Sequence, residues 1–359
     1  MFPIVDSCVT TAESLIESRI ENSDGRFGAL DIMGNLTMDV IAKSAFGIDL
    51  SLQNDHGTQF MEAAKRLFNF SFVNPKMITA ALFPNVARFL VETLGIRILI
   101  VNADVAEYFE KLAHQVVENR IKSKDKFVDF LQLMLEASTL REGNEYGKEI
   151  IFDKTDVAAQ CFLFLAAGYE TTTTTLQCIF YSLAVNPECQ RKAYEEICEV
   201  IGDKAEIAYD DVAKMHYISA VLKETLRMYP PIALIDRVCQ NDTVIKGIPI
   251  KKGTIIHVPT FAIHYNEEFY PNPEKFDPER FTSTSSPVEP LSHIPFGYGP
   301  RHCLGMRFAE SEIRYIIARF LRKFEFSAPE YETGTPLEVS TLGFTRLKKP
   351  LILTAHRRQ

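Results

Sequence analysis

Apolar residues recur at the i, i+3, i+4 spacing of an amphipathic helix over most of the chain up to about residue 140. The spacing predicts helices over Ser7 to Ile20, Asp31 to Phe46, Thr58 to Phe70, Asn102 to Ile121 and Lys126 to Ala137. Turn-forming residues interrupt it at Asp24-Gly25, Asn54-Asp55, Asn74-Pro75, Phe83-Pro84 and Glu142-Gly143-Asn144. A long helix then starts at the capping residues Asp153 to Thr155 and runs to Asn186-Pro187. It is apolar on nearly all sides, as expected of a helix running through a core. At its middle stands Ala167-Gly168-Tyr169-Glu170-Thr171, followed by four further threonines to Thr175. A glycine and five β-branched residues are poor helix formers, so something other than helix stability put them there.

The pattern changes in the second half. Helices are predicted over Pro187 to Ile201 and Ile218 to Tyr229, the latter stopped by Pro230-Pro231. Short strand-like runs follow at Ile235 to Cys239, Thr243 to Ile245 and Thr254 to Val258. An irregular stretch from Tyr270 to Arg280 leads through Thr282 to Pro290 into a Gly/Pro-rich loop. A last long helix covers Leu304 to Phe324, and two or three strand candidates end at Leu351 to Thr354. The expected fold class is mainly α with a minor antiparallel β component. No period of 20–50 residues repeats, which excludes a solenoid.

Composition narrows the function classes. With 359 residues, 46% of them hydrophobic and 24% charged, the chain can bury a large core. A net charge of −8 argues against a nucleic-acid binder. The seven cysteines are scattered without a CxxC pair, which points to a reducing compartment and against a zinc site. Met1 to Asp6 has neither a basic nor an apolar leader region. The weakly polar run Val157 to Tyr169 falls short of the ~20 residues that span a bilayer.

The candidate chemistry centres on Phe296-Gly297-Tyr298-Gly299-Pro300-Arg301-His302-Cys303-Leu304-Gly305. This loop opens a helix at a lone cysteine, so free N–H groups and the helix dipole are expected to favour its thiolate. Such a sulfur is a metal ligand or a nucleophile. Gly299 and Gly305 leave room for something bulky, and Phe296 could shield the sulfur. A dinucleotide fingerprint fails because residue 302 is His where a third glycine is needed. A cysteine hydrolase needs a base, and His302 is adjacent in sequence and projects elsewhere.

Three weaker signals surround it. Glu170 and Thr171 put an acid beside an alcohol in an apolar helix, a pair suited to relaying protons toward a buried metal; solvated Glu and packing threonines are the bland alternative. Gly168 would let a flat ligand or a widened turn sit against the backbone. Glu224 and Arg227 lie at i, i+3 on one helix, and Arg280 could complete a network with them, although such pairs are common on surfaces. Arg237, in a strand-like run, and Arg301 could clamp the carboxylates of a planar cofactor, or Arg237 could be an edge-strand charge.

Taken together, Phe296-x-x-Gly299-x-Arg301-x-Cys303-x-Gly305, Ala167 to Thr172, Glu224-Thr225-Leu226-Arg227 and Pro278-Glu279-Arg280-Phe281 resemble, in order and approximate spacing, the cytochrome P450 superfamily. Details such as Asp236-Arg237-Val238-Cys239 and Gly305-Met306-Arg307-Phe308-Ala309 are most similar to the microsomal drug-metabolising family 3 and its invertebrate relatives. The resemblance implies that Cys303 is the axial thiolate of haem b (iron protoporphyrin IX), with Glu170 and Thr171 delivering protons on the opposite face. It implies a structural network of Glu224, Arg227 and Arg280, and propionate contacts from Arg237 and Arg301. Phe70, Phe72, Phe162, Ala167, Ile232, Ala233, Leu234, Leu342 and Gly343 are the substrate-facing candidates it suggests.

The implied activity is a monooxygenase that inserts one oxygen atom of O2 into a hydrophobic substrate (xenobiotic, steroid or lipid). Electrons would come from NADPH through NADPH-cytochrome P450 reductase, with cytochrome b5 as a second donor. Arg307, Arg314, Arg319, Arg322 and Lys323 are the basic residues offered for docking. The implied location is the cytosolic face of the endoplasmic reticulum membrane. The resemblance starts partway through the family's pattern, so a single P450 domain over 1–359, incomplete at its N-terminus and without an anchor, is expected; the absence of tryptophan fits that reading. The alternatives are a truncated, catalytically inactive fragment or splice form, and a haem-thiolate isomerase, which the intact Glu170-Thr171 disfavours.

Overall fold

The structure is a computed structural model that describes residues 1–48, 55–68, 82–83, 86, 89, 103–123, 127–139, 153–282, 288–341 and 343–358. Helices dominate: α1 (Phe2–Asn22), α2 (Ala29–Ile41), α3 (Asp55–Phe68), α4 (Ala103–Lys122), α5 (Phe130–Thr139) and α6 (Lys154–Ala184), then α7 (Pro187–Ile201), α8 (Tyr209–Ala213), α9 (His216–Met228), α10 (Thr260–His264) and α11 (Met306–Lys323). The strands are short: β1 (Arg26–Gly28), β2 (Ile235–Val238), β3 (Thr243–Ile245), β4 (Ile248–Ile250), β5 (Ile255–Val258), β6 (Phe324–Ser327), β7 (Val339–Ser340), β8 (Arg346–Leu347) and β9 (Ile352–Arg357). Among the described residues every pairing is antiparallel, in a three-stranded β1-β9-β6 sheet and the two-stranded pairs β2-β5, β3-β4 and β7-β8. The expected class, mainly α with minor antiparallel β, is the one observed.

Two compact units make up the chain. The first comprises Thr37–Glu170 with Met1 and Pro3. Its core joins Phe46, Phe60 and Phe109 in edge-to-face contacts of 6.3 and 5.4 Å, backed by Cys161, Leu165 and Tyr169 of α6. Each fully buried ring contributes about 2 kcal/mol in transfer free energy. Of the two uses suggested for Gly168, a flat ligand or a widened turn against the backbone, the widened turn is not there. The π-helical turn is Ala42–Phe46, which continues α2 and ends at Gly47 in the left-handed region (φ 64°). Gly168 answers a different need: a Cβ there would come within 2.7 Å of Ile41 Cδ1, so the glycine lets α2 and α6 approach closely.

The second unit comprises Phe2, Ile4–Leu36 and Thr171–Gln359. Phe180, Phe320 and Phe326 meet at its centre, with ring centroids 4.8 to 6.4 Å apart. The buried Gln190 side chain of α7 extends the sheet: its amide donates to Phe326 O at 2.8 Å and its carbonyl accepts from Phe326 N at 2.8 Å. This satisfies an edge that would otherwise leave backbone groups unpaired. β1 escapes the sequence pattern because three residues carry no period, and only the register Arg26↔Thr354 through Gly28↔Ile352 makes it a strand.

Candidate functional site

Cys303 lies just ahead of α11, whose N-cap is Gly305. The helix therefore starts three residues after the cysteine and not at it. The preceding loop turns tightly because Gly297 (φ 74°) and Gly299 (φ 83°) adopt left-handed conformations that a Cβ would strain. Its turns are closed by Gly297 N–H donating to Ile294 O at 3.0 Å, His302 N–H to Gly299 O at 3.0 Å and Cys303 N–H to Phe296 O at 2.8 Å. The cysteine is exposed. Gly305 and Met306 donate N–H groups to Sγ, and a Cβ on Gly305 would stand 4.0 Å from the sulfur.

These donors do not by themselves give a free thiolate. Partial desolvation raises the Cys303 pKa and outweighs the lowering by the two N–H groups. The His302 ring is committed to Gly299 O at 2.8 Å, so the imidazole is not a base for the sulfur. The expectation of a spontaneously favoured thiolate is corrected: the site suits a sulfur that ionises when a metal binds it. Among the described residues no cluster of three or more His, Cys, Asp or Glu could hold a metal ion.

Arg237 stands on β2, half-buried, with one Nη donating to Asp236 O at 2.9 Å. The other Nη is beside the cysteine loop, 4.0 Å from where a Cβ on Gly297 would be. Arg301 is exposed in the loop itself. No carboxylate among the described residues pairs with either guanidinium. An open sulfur, glycines in place of bulk and two uncompensated cations fit a flat group that carries both a metal and negative charges.

Glu224, Arg227 and Arg280 do come together. Glu224 and Arg227 are both 0% exposed and meet in a two-pronged pair, Nε to Oε2 at 2.7 Å and Nη2 to Oε1 at 2.8 Å. Arg280 Nε approaches Glu224 Oε1 at 3.4 Å, and Asp277 N–H donates to the same oxygen at 2.9 Å. Arg227 also donates to His264 O at 2.9 Å and Pro273 O at 2.7 Å, between the rings of Tyr265 and Tyr270. Burial pushes the Glu224 carboxyl pKa up, against the opposing pull of Arg227, Asp277 N–H and Arg280. Asp277, His264, Tyr265 and Tyr270 were not legible in the sequence, since none belongs to a periodic pattern.

The other candidates are less concentrated. Glu170 and Thr171 are half-buried in α6, with the division between the two units falling between them; Thr171 O accepts the Thr175 hydroxyl at 2.8 Å. Ala167 is exposed on the same helix. Ile232 and Leu234 are exposed, whereas Ala233 between them is buried and its carbonyl takes the Phe261 N–H. Phe162 packs at 5.7 Å from Phe109 in the first unit's core. Phe70, Phe72 and Leu342 lie outside the described residues. The basic residues of α11 divide. Arg319 pairs with Asp6 and Glu13 of α1, Lys323 with Glu13, and Arg322 donates to Lys204 O and Ala205 O, while Arg307 is exposed.

Comparison with known proteins gives a consistent result. A family model described as Cytochrome P450 matches residues 1–355. The chain is similar to Cytochrome P450 3A12 of Canis lupus familiaris, 36% identical over 361 residues that cover 100% of this chain and 70% of that protein. It is 35% identical to Cytochrome P450 3A9 of Rattus norvegicus over 98% of this chain and 69% of the relative. It is 34% identical to Cytochrome P450 3A5 of Homo sapiens over 100% and 70%.

Proposed function

The chain belongs to the cytochrome P450 family, a family of haem monooxygenases, and on that premise we propose that Cys303 would hold the iron of haem b in an enzyme that oxygenates a hydrophobic xenobiotic, steroid or lipid. The observation that carries this reading is the Cys303 loop: an exposed sulfur that receives two N–H groups, with the neighbouring His302 ring turned to Gly299 O and Gly305 leaving room beside it. Such an open sulfur, supported by backbone donors, suits a metal ligand. When bound, haem supplies the O2 chemistry, and the thiolate favours O–O cleavage.

The protein's own groups have separable tasks in this reading. Gly305 and Met306 N–H groups temper the charge on Sγ. Arg237 and Arg301 hold propionates by charge-assisted hydrogen bonds. Thr171 and Glu170 hold and pass protons from α6. Glu224, Arg227 and Arg280 keep α9 and the segment 273–277 in fixed relation. Ile232 and Leu234 offer apolar exposed surface to substrate in the second unit, and Ala167 does so by itself on the first. Tyr298 and Leu304, 69% and 87% exposed within the loop, together with exposed Arg301 and with Arg307 at the start of α11, offer basic and apolar surface suited to NADPH-cytochrome P450 reductase or cytochrome b5. Association with the endoplasmic reticulum follows the family; no helix among the described residues is long and apolar enough to cross a membrane.

The test is a carbon-monoxide difference spectrum of the reduced, haem-loaded chain. A thiolate-type band that is lost in Cys303→Ala is expected. A band that survives the substitution overturns the ligand assignment, and a chain that takes up no haem selects the inactive-fragment alternative.

A further inference from the structure

His264, the last residue of α10, is 0% exposed and appears in none of the roles above. Its Nε2 is 3.0 Å from the backbone nitrogen of Ile294. A backbone N–H can only donate, so Nε2 must be the unprotonated acceptor. The single ring proton then sits on Nδ1, which donates to Arg227 O at 3.1 Å. The tautomer is thus fixed by its partners. Arg227 returns the bond, its Nη1 donating to His264 O at 2.9 Å. The ring is further held by stacking on His293, with centroids 5.3 Å apart, and His293 packs against Phe281 at 4.8 Å.

The partner at Nε2 is what gives this contact its reach. Ile294, 8% exposed, is the residue from which the cysteine loop is built. Its carbonyl accepts Gly297 N–H at 3.0 Å, and Phe296 O accepts Cys303 N–H at 2.8 Å. A continuous series of bonds therefore runs from the Glu224–Arg227 pair through the His264 ring to the peptide that opens the loop, and on to the backbone of Cys303. We infer that His264 is a positioning residue: its neutral imidazole ties the buried Glu224–Arg227 network to the start of the Cys303 loop and so fixes where the sulfur is presented. The consequence for haem rests on the function proposed above, but the tie itself is a property of the chain alone.

Two substitutions separate loop positioning from general stability. In His264→Gln the terminal amide reaches the place of Nε2 and its carbonyl can accept the Ile294 N–H. In His264→Asn the shorter amide reaches only the place of Nδ1, keeping the bond to Arg227 O and losing the one to Ile294. Hydrogen exchange is measured by mass spectrometry on the full haem-free chain. In His264→Asn, peptides covering 294–303 should exchange about tenfold to a hundredfold faster, the cost of leaving a buried N–H without an acceptor. Exchange in α11 and β9 should stay unchanged, and His264→Gln should resemble the unaltered chain. With haem loaded, His264→Asn should lose a larger share of the thiolate-type carbon-monoxide band than His264→Gln. Equal exchange of the loop in all three proteins overturns the inference, as does a uniform acceleration that includes α11 and β9. If Cys303→Ala were to retain its band, the haem reading would fail while the exchange comparison still decided the role of His264.

Discussion

Arg120 and Asp129 meet in a buried two-pronged pair directly beneath Gly47, with Nη1 to Oδ1 at 2.8 Å and Nη2 to Oδ2 at 2.7 Å. The two side chains are 6% and 3% exposed, the Phe127 ring covers the guanidinium at 3.8 Å, and Asp129 also accepts Gln132 N–H at the start of α5. Removing one partner strands the other charge, so Asp129→Asn should cost about 3–5 kcal/mol in urea denaturation. Gly47→Ala attacks the same place sterically: a Cβ would come within 2.1 Å of Arg120 Nη2 at a φ of 64°. The alanine should be as damaging as the loss of the aspartate. An unchanged midpoint in either variant would show that the pair contributes nothing.

Glu312 presents the opposite situation, a buried carboxyl with no cation beside it among the described residues. It lies on α11, 5% exposed, with Oε1 lacking a hydrogen-bond partner among the described residues, and burial raises its pKa to about 8. Because the folded value lies above the ordinary 4.5, stability is intact below pH 4.5 and declines as pH rises toward 8. The total penalty is roughly 4–5 kcal/mol. Glu312→Gln, the same shape without the charge, should match the unaltered chain at pH 5 and exceed it at pH 8. A parallel pair of pH profiles would refute the assignment.

His264 gives a pH dependence of reverse sign. Burial lowers its pKa from 6.5 to about 4, and burial also lowers that of His293 stacked on it. Arg227 and Lys223 from α9 face the histidine pair and oppose a further positive charge. The folded state binds the His264 proton more weakly than the unfolded chain does, so stability is complete above pH 6.5 and is lost as pH falls from 6.5 to 4. The loss from His264 is roughly 3 kcal/mol. Replacing His264 by Gln should remove that share of the acid sensitivity, read as a smaller drop in urea midpoint between pH 7 and pH 4.5. A drop of the same size in both proteins would place the sensitivity elsewhere.

Replacing one arginine at a time distinguishes the two kinds on α11. Arg307→Glu should weaken binding of the reductase several-fold at low salt, with the effect fading as ionic strength screens it. Arg319→Met should leave that affinity within about twofold while lowering stability by a few kcal/mol, since the buried Glu13 carboxylate would keep only Lys323. Equal effects of both changes on reductase affinity would mean that the docking face extends to the end of the helix.

Local sequence determined most of the elements. α7 is predicted and observed over Pro187–Ile201 because a proline starts it and Gly202 ends it, signals that act within one turn. The spacing of Glu224 and Arg227 on one helix likewise made their pairing legible, as did the glycines around Cys303. What the sequence left open was surroundings. Glu224 and Arg227 read equally well as a solvated surface pair, and only the packing of Pro273, Asp277, Tyr265 and Tyr270 around them removed the water. Gly168 is accounted for by Ile41, more than a hundred residues away, and Arg319 is committed to Asp6 and Glu13 at the other end of the chain. The sulfur's readiness to ionise escapes the sequence for the same reason: helix-start donors are a local feature, whereas desolvation is set by every segment that folds around the loop. Periodicity, caps and turns are short-range and survive in the linear order of residues. Burial, charge compensation and the choice of a histidine's tautomer depend on which distant segments meet, and tertiary structure alone decides that.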